Sequence, residues 1–220
     1  MNRDWSVLLP ILWESLGETL FMVSVTLLVG GFAGLVLGLA LYTTRKGNLF
    51  SSGPAFAVLN LLVNIVRPIP FIIFITAIAP LTLAVVGTTI GTEAAIFPMA
   101  LMATFATSRI VEQNLVALDP GVIEAARAMG ASRLRIVATV LVPEALGPLI
   151  LGYTFLFVGI VDMSAMVGAI GGGGLGDFAI VYGYQRFNWQ VTLVTVVVIV
   201  GIVQLAQWLG NTLARRVLRR

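Results

Sequence analysis

Neither cysteine nor histidine occurs anywhere in these 220 residues. The first absence removes disulfides, thiolate metal sites and palmitoylation. The second removes His-dependent catalytic triads and most zinc sites. Charge is scarce as well: 10% of residues are Asp, Glu, Lys or Arg, against roughly 25% in a soluble domain. What fills the chain is apolar, 59% hydrophobic with a mean hydropathy of +1.02. These proportions indicate an integral membrane protein of one domain, with room for about five or six spans of ~20 residues. The opening stretch, MNRDWSVLLPILWESLGE, mixes Arg3 with Asp4, Glu14 and Glu18 and has no basic leading segment, so it does not read as a signal peptide.

Charge-free runs place the spans. Residues 19–44 hold no charge, and 68–108 hold only Glu93 but are too long for one helix. A turn at Gly87 and Gly91 divides them. The expectation is an all-α membrane protein with five transmembrane helices at 19–44, 57–80, 90–109, 143–169 and 187–214. Residues 51–66, broken by Asn60 and Asn64, begin as an interfacial helix that bends into the membrane at Pro68 and Pro70. With five spans, Arg45, Lys46, Arg67, Arg109, Arg127, Arg133, Arg135, Arg215, Arg216, Arg219 and Arg220 share one side, leaving Arg3 and Arg186 on the other. The positive-inside rule then puts the N-terminus outside and the C-terminus in the cytoplasm. Gly30, Gly34 and Gly38 recur every four residues and offer a narrow face for close helix packing. Gln204, Gln207 and Asn211 share one face of the last span and read as interhelical hydrogen-bonding groups.

That topology leaves a cytoplasmic loop of about 112–142, and within it the run EAARAMGASRLRIVATVLVPEA. Asp119-Pro120 is a helix start, a capping carboxylate followed by a proline whose missing N–H costs nothing. A short helix over 121–129 follows, Gly130 supplies a left-handed stop, and Ser132 caps a second helix that climbs to Pro143. Ala125, Ala126, Ala128 and Ala131 keep the first helix thin, and Glu124 and Arg127 offer polar contacts. Physics alone leaves two readings open: insertion into a groove of another protein, or a helix resting on anionic headgroups.

Two further features lie around the fourth span. Asp162 is an intramembrane carboxyl group, and at a bilayer centre it would cost roughly 2.5–3.5 kcal/mol, so it is expected to face a cavity, a partner or the outer interface. Beyond it Gly171, Gly172, Gly173, Gly174 and Gly176 form a glycine cluster. Three of them spell G-x-G-x-x-G, but after a hydrophobic span rather than a strand, which argues against a dinucleotide site. The expectation is a close-packed outer turn whose bare backbone a second copy or a docked protein can approach.

Glu124-Ala125-Ala126, then Gly130, then Val142-Pro143 resembles the EAA loop of bacterial ABC importer permeases. SAMVGAIGGGGLGDFAI from Ser164, YGYQRF from Tyr182 and RPIPFIIF from Arg67 resemble the methionine-uptake branch of that family over nearly the whole chain. The resemblance implies a type I importer permease in the bacterial inner membrane, translocating methionine of either hand or a close analogue by alternating access. It implies a homodimer, two cytoplasmic ATP-binding subunits and an extracytoplasmic substrate-binding protein, often a lipoprotein. Nucleic acid is not expected as a partner, since no arginine cluster sits on a soluble module with aromatics to stack bases. Glu124, Ala125, Ala126, Arg127 and Gly130 would form the coupling helix seated in the ATPase. Met163, Ser164 and Met166, with Asp162, would line the pathway, Met166 as the outer gate. Asp162 departs from the neutral residues the family carries there. As a hypothesis, paired Asp162 carboxyl groups attract a substrate ammonium or hold a closed state through a hydrogen bond. The chain would be no enzyme and hold no cofactor, since it has no G-x-x-x-x-G-K-[ST] phosphate loop; ATP and magnesium belong to the partner. A different amino-acid or small peptide substrate stays open. A secondary carrier would be expected to show inverted repeats or a relay of ionisable groups, and neither is visible. An intramembrane enzyme would have only Lys46, in a loop, and Asp162 without an acidic mate.

Overall fold

The computed structural model describes residues 5–218, and every regular element among them is helical. Arg3, Asp4, Arg219 and Arg220 lie outside the described residues. Helix α1 runs from Trp5 to Thr44, α2 from Gly53 to Val66, α3 from Phe71 to Ala77, α4 from Ala79 to Val86 and α5 from Thr92 to Val116. The short α6 (Pro120–Ala128) and α7 (Arg133–Ile136) follow, and a π turn over Val137–Leu141 leads into α8 (Val142–Gly168). Helix α9 (Gly174–Asp177) continues through a π segment, Phe178–Tyr184, before α10 (Trp189–Leu218) closes the chain. Four helical stretches are long and apolar enough to cross a bilayer, and a bent pair makes a fifth.

Close contacts fix the helix directions. Gly30, Gly34 and Gly38 pack on the backbone oxygens of Ala100, Thr104 and Ser108, so α1 and α5 run parallel with their backbones nearly touching. A side chain at Gly30 would bring its Cβ 2.7 Å from the Ala100 carbonyl oxygen, which explains the small-residue face read from the sequence. Helix α8 runs the opposite way: the Tyr153 hydroxyl donates to the Gly31 carbonyl at 2.7 Å, and Gly152 sits against Ile110. Helix α10 returns antiparallel to α8, with Gly210 on Thr154 and Leu218 on Gly147. The bundle therefore has two ends, one carrying α6 and the other carrying the glycine cluster.

Several expected boundaries move. The first helix starts at Trp5 rather than near residue 19, because Pro10 falls early in it and Glu18 finds a partner. The span expected at 57–80 is not one helix: α2 and α3 meet at 106° across Arg67–Pro70, so only the second limb continues toward Gly87. The bend itself falls where the prolines predicted it. The third span reaches Val116, well past 109, which takes Glu112 out of the expected loop and into a buried position on α5. The last span extends to Leu218 rather than ending near 214.

The interior divides into three apolar clusters. The largest joins Met22, Met99, Ile160 and Phe74 from α1, α5, α8 and α3 at mid-bundle. A second gathers Leu115, Ile123, Ile136 and Leu141 at the α6 end. The third packs Leu8 and Leu12 of α1 on Leu175, Phe178 and Val191 at the glycine end.

Candidate functional site

Local chemistry builds α6. The Asp119 side chain accepts the Gly121 N–H at 2.8 Å, with Pro120 in the first turn. At the other end Ala131 N–H donates to Ala126 O and Gly130 N–H to Arg127 O, while Gly130 takes φ +78°. This is a Schellman stop, which only a residue without a Cβ adopts at little cost. Ser132 then accepts the Arg135 N–H at 3.4 Å and starts α7. The sequence-predicted helix, stop and cap are all present.

One face of α6 belongs to the chain's own core. Ile123 and Ala126 are buried among Leu115, Ile136 and Leu141. Ala126 thus serves internal packing and is not free to enter a partner's groove. The opposite face projects from the bundle: Glu124, Ala125, Arg127 and Gly130 are exposed, beside Met129 at 81% and Leu134 at 73% exposure. Apolar side chains held that far out beside a capped nine-residue helix, Met129 at its end and Leu134 on α7, make a surface suited to docking.

A polar network under this end was not visible in the sequence. Glu112, 2% exposed, pairs with Arg45 at 3.2 Å and with Arg109. Arg109 reaches on to Asn60 Oδ1 at 3.0 Å and Asn64 Oδ1 at 2.6 Å, tying α2 to α5 and α1. Every member of this network finds a partner, as a buried charge requires. The asparagines, read as interruptions of an apolar run, are ligands of Arg109.

At the opposite end the glycine cluster is a backbone-on-backbone joint. Gly174 N–H donates to Glu18 Oε2 at 2.6 Å and Leu175 N–H to Thr19 Oγ1 at 2.8 Å, so α1 supplies the cap of α9. Gly91 N–H donates to the Gly171 carbonyl at 3.1 Å. Gly176 lies on the Ala165 backbone and Gly168 on the Gly176–Asp177 peptide, while Gly172 folds onto Val167 and Gly173 sits against Glu18. The missing side chains admit the chain's own α1 and α8 at Gly172, Gly173, Gly174 and Gly176, while Gly171 stays exposed. Burial and then the Glu18 charge push the Asp177 carboxyl above its ordinary range.

Helix α8 separates the expected pathway residues. Ser164 is buried and donates to Val161 O at 2.7 Å, and Met163 packs on the central core. Asp162 and Met166 instead are exposed and share a stripe with exposed Phe155 and half-buried Gly159, all within about 60° around the axis at ~100° per residue. The side chains of Gln204, Gln207 and Asn211 make no hydrogen bond among the described residues, so within this chain they join no helices. Arg45, Arg109, Arg127 and Arg133 gather near the α6 end, whereas Arg186 lies 4.7 Å over the Tyr182 ring at the other.

Comparison with known proteins gives a consistent picture. A family model described as "Binding-protein-dependent transport system inner membrane component" matches residues 30–219. A Vibrio cholerae protein described as a probable D-methionine transport system permease protein, MetI, is 42% identical over 99% of this chain and 94% of its own length. The Bacillus subtilis methionine import system permease protein MetP is 39% identical over 95% of this chain and 94% of its own. Among solved structures, a chain of the MetNI methionine ABC transporter in an inward-facing conformation superposes with a TM-score of 0.94, at 39% identity and 99% coverage of both chains. An amino acid ABC transporter chain, 20% identical with a TM-score of 0.79, shares the fold.

Proposed function

Since the chain belongs to the family of binding-protein-dependent transport system inner membrane components, we propose that it is the permease subunit of an ATP-driven methionine importer. The observation that carries this reading is the extent of the likeness: it runs almost end to end and takes in α6 and the glycine joint together. The substrate is methionine, of L or D configuration.

In this reading two copies of the chain form the passage, and two cytoplasmic subunits bind ATP and magnesium. A substrate-binding protein delivers methionine from outside. The α6 end faces the cytoplasm, consistent with its arginines, and the glycine joint faces out. ATP binding draws the two ATPases together and moves the exposed faces of α6. Because Ile123 and Ala126 are fixed in the cluster around Leu115 and Leu141, a push on α6 passes to α5 and the start of α8. The spans then rearrange between inward and outward access, with Met166 closing the outer part of the passage. Energy is supplied by the partner; this chain contributes the path and the lever.

Glu124 tests the lever without disturbing the core, since its side chain is exposed. In vesicles containing the chain, its ATPase and its binding protein, Glu124→Arg is expected to lower methionine uptake on the order of tenfold while ATP hydrolysis continues. Uptake and hydrolysis both at wild-type levels would remove α6 from the coupling role.

A further inference from the structure

Helices α8 and α10 each present a long outward face that no other described residue covers. On α10 the exposed line runs from Trp189 through Leu193, Val197 and Val200 to Trp208. The two tryptophans are about 28 Å apart at ~1.5 Å per residue, close to the ~30 Å of a hydrocarbon core. Aromatic rings at both interfaces with aliphatic side chains between them mark a lipid-facing surface. The α8 line is built differently. Phe155 and Met166 flank Asp162 on it, and at Gly159 an added Cβ would meet nothing within 4 Å. Asp162 has no hydrogen bond or ion pair among the described residues and sits six residues, about 9 Å, inside the Gly168 end of α8. A carboxyl group within the hydrocarbon layer is costly unless water or a protein partner meets it, which sets this face apart from the all-apolar line on α10.

We propose that the Phe155–Gly159–Asp162–Met166 face of α8 meets the same face of a second copy of this chain across the central passage, and that the two Asp162 carboxyl groups recognise the ammonium group of the amino-acid substrate there. The inference rests on the permease reading and adds to it a residue that selects cations. A two-fold axis makes such an interface self-complementary, so a carboxyl group near the axis brings its mate with it. Two carboxyl groups facing one another disfavour their shared negative charge and favour a cation between them. An α-amino acid carries that cation; its des-amino counterpart does not. Phe155 and Met166, on either side of Asp162 along the helix, leave the apolar part of a thioether or aliphatic side chain in suitable company.

The absence of native cysteine makes the placement directly testable in the whole complex. Asp162→Cys is introduced as the sole cysteine, the complex is reconstituted in vesicles, and a short bifunctional maleimide is added. A covalent dimer of this chain is expected, with none from Val197→Cys on the α10 face. Should Asp162→Cys not insert, Met166→Cys on the same stripe answers the same question. A cysteine at 162 or 166 that reacts with a lipid-phase maleimide and yields no dimer overturns the placement. Recognition is read separately from uptake kinetics. Asp162→Asn is expected to raise the half-saturating methionine concentration on the order of tenfold, the loss of one hydrogen bond to a charged group, with partial rescue by Asp162→Glu. Unchanged kinetics in Asp162→Asn overturns the ammonium role even where the dimer forms. Wild-type complex that fails to carry methionine marks instead a failure of the substrate assignment, and the cross-link still decides whether the two faces meet.

Discussion

Helix α1 is fastened by opposite means at the two ends of the bundle. At the α6 end, long side chains reach across gaps: Arg45 of the loop after α1 and Arg109 of α5 meet on Glu112, and Arg109 extends to Asn60 and Asn64 of α2. At the glycine end, backbone meets backbone, and the Glu18 and Thr19 side chains cap peptide N–H groups directly. A network of long side chains accommodates a shift of its helices by changing rotamers. A joint of backbone against backbone accommodates almost none, since packed interiors resist displacement. The contrast suits a molecule driven from the α6 end and pivoting about the other.

Substitutions at each end sharpen that contrast. Glu112→Ala strands the Arg109 guanidinium in a site where it is mostly buried and should have the largest effect, about 3–5 kcal/mol of stability, read as thermal unfolding in detergent; Glu112→Gln should lose less. A loss under ~1 kcal/mol for the alanine variant would mean the network holds nothing together. Gly176→Ala places a Cβ on the Ala165 backbone, where no side chain can yield, and should cost about 1–3 kcal/mol. Gly201→Ala, in α10 with open space around it, is the matched control and should be close to neutral in stability. Glu18→Ala removes the acceptor of the Gly174 N–H, and a loss of ~1–2 kcal/mol is expected, with Glu18→Gln retaining most of it.

The smallest effect belongs to Asp177, and its sign is set by pH. Its carboxyl lies above the ordinary range through burial and through Glu18. The folded state therefore holds its proton to higher pH than the unfolded chain does. The associated cost is absent below the ordinary carboxylate range and grows as pH rises toward the elevated value. Beyond that value it is fully present. Asp177→Asn should match the wild type in acid and be slightly more stable at neutral pH, measured as the difference between their unfolding temperatures. A variant less stable at neutral pH would show that the carboxylate is favoured where it sits.

The sequence was most readable where structure is local. Asp119-Pro120, Gly130 and Ser132 each act within a few residues, and each forms the cap or stop its chemistry implies. The four-residue glycine spacing on α1 was equally plain, because helical periodicity alone puts those positions on one face. Contacts between distant segments were hidden. Glu112 carries no mark that it will meet Arg45, 67 positions away, and Asn60 and Asn64 look like interruptions until Arg109 is placed beside them. The start of α1 is hidden for a related reason: the charge-free run begins only after Glu18, yet Glu18 is spent on the glycine joint. On α8 the sequence groups Asp162, Ser164 and Met166 without separating their faces, since only packing divides buried Ser164 from exposed Asp162 and Met166.

The account's central claim is that this chain carries methionine only when a partner hydrolyses ATP. Uptake of labelled methionine into vesicles containing the chain, its ATPase and its binding protein tests that claim most directly. The account predicts accumulation that requires ATP and both partners and is competed by methionine-like compounds alone. Accumulation by this chain without either partner would contradict it.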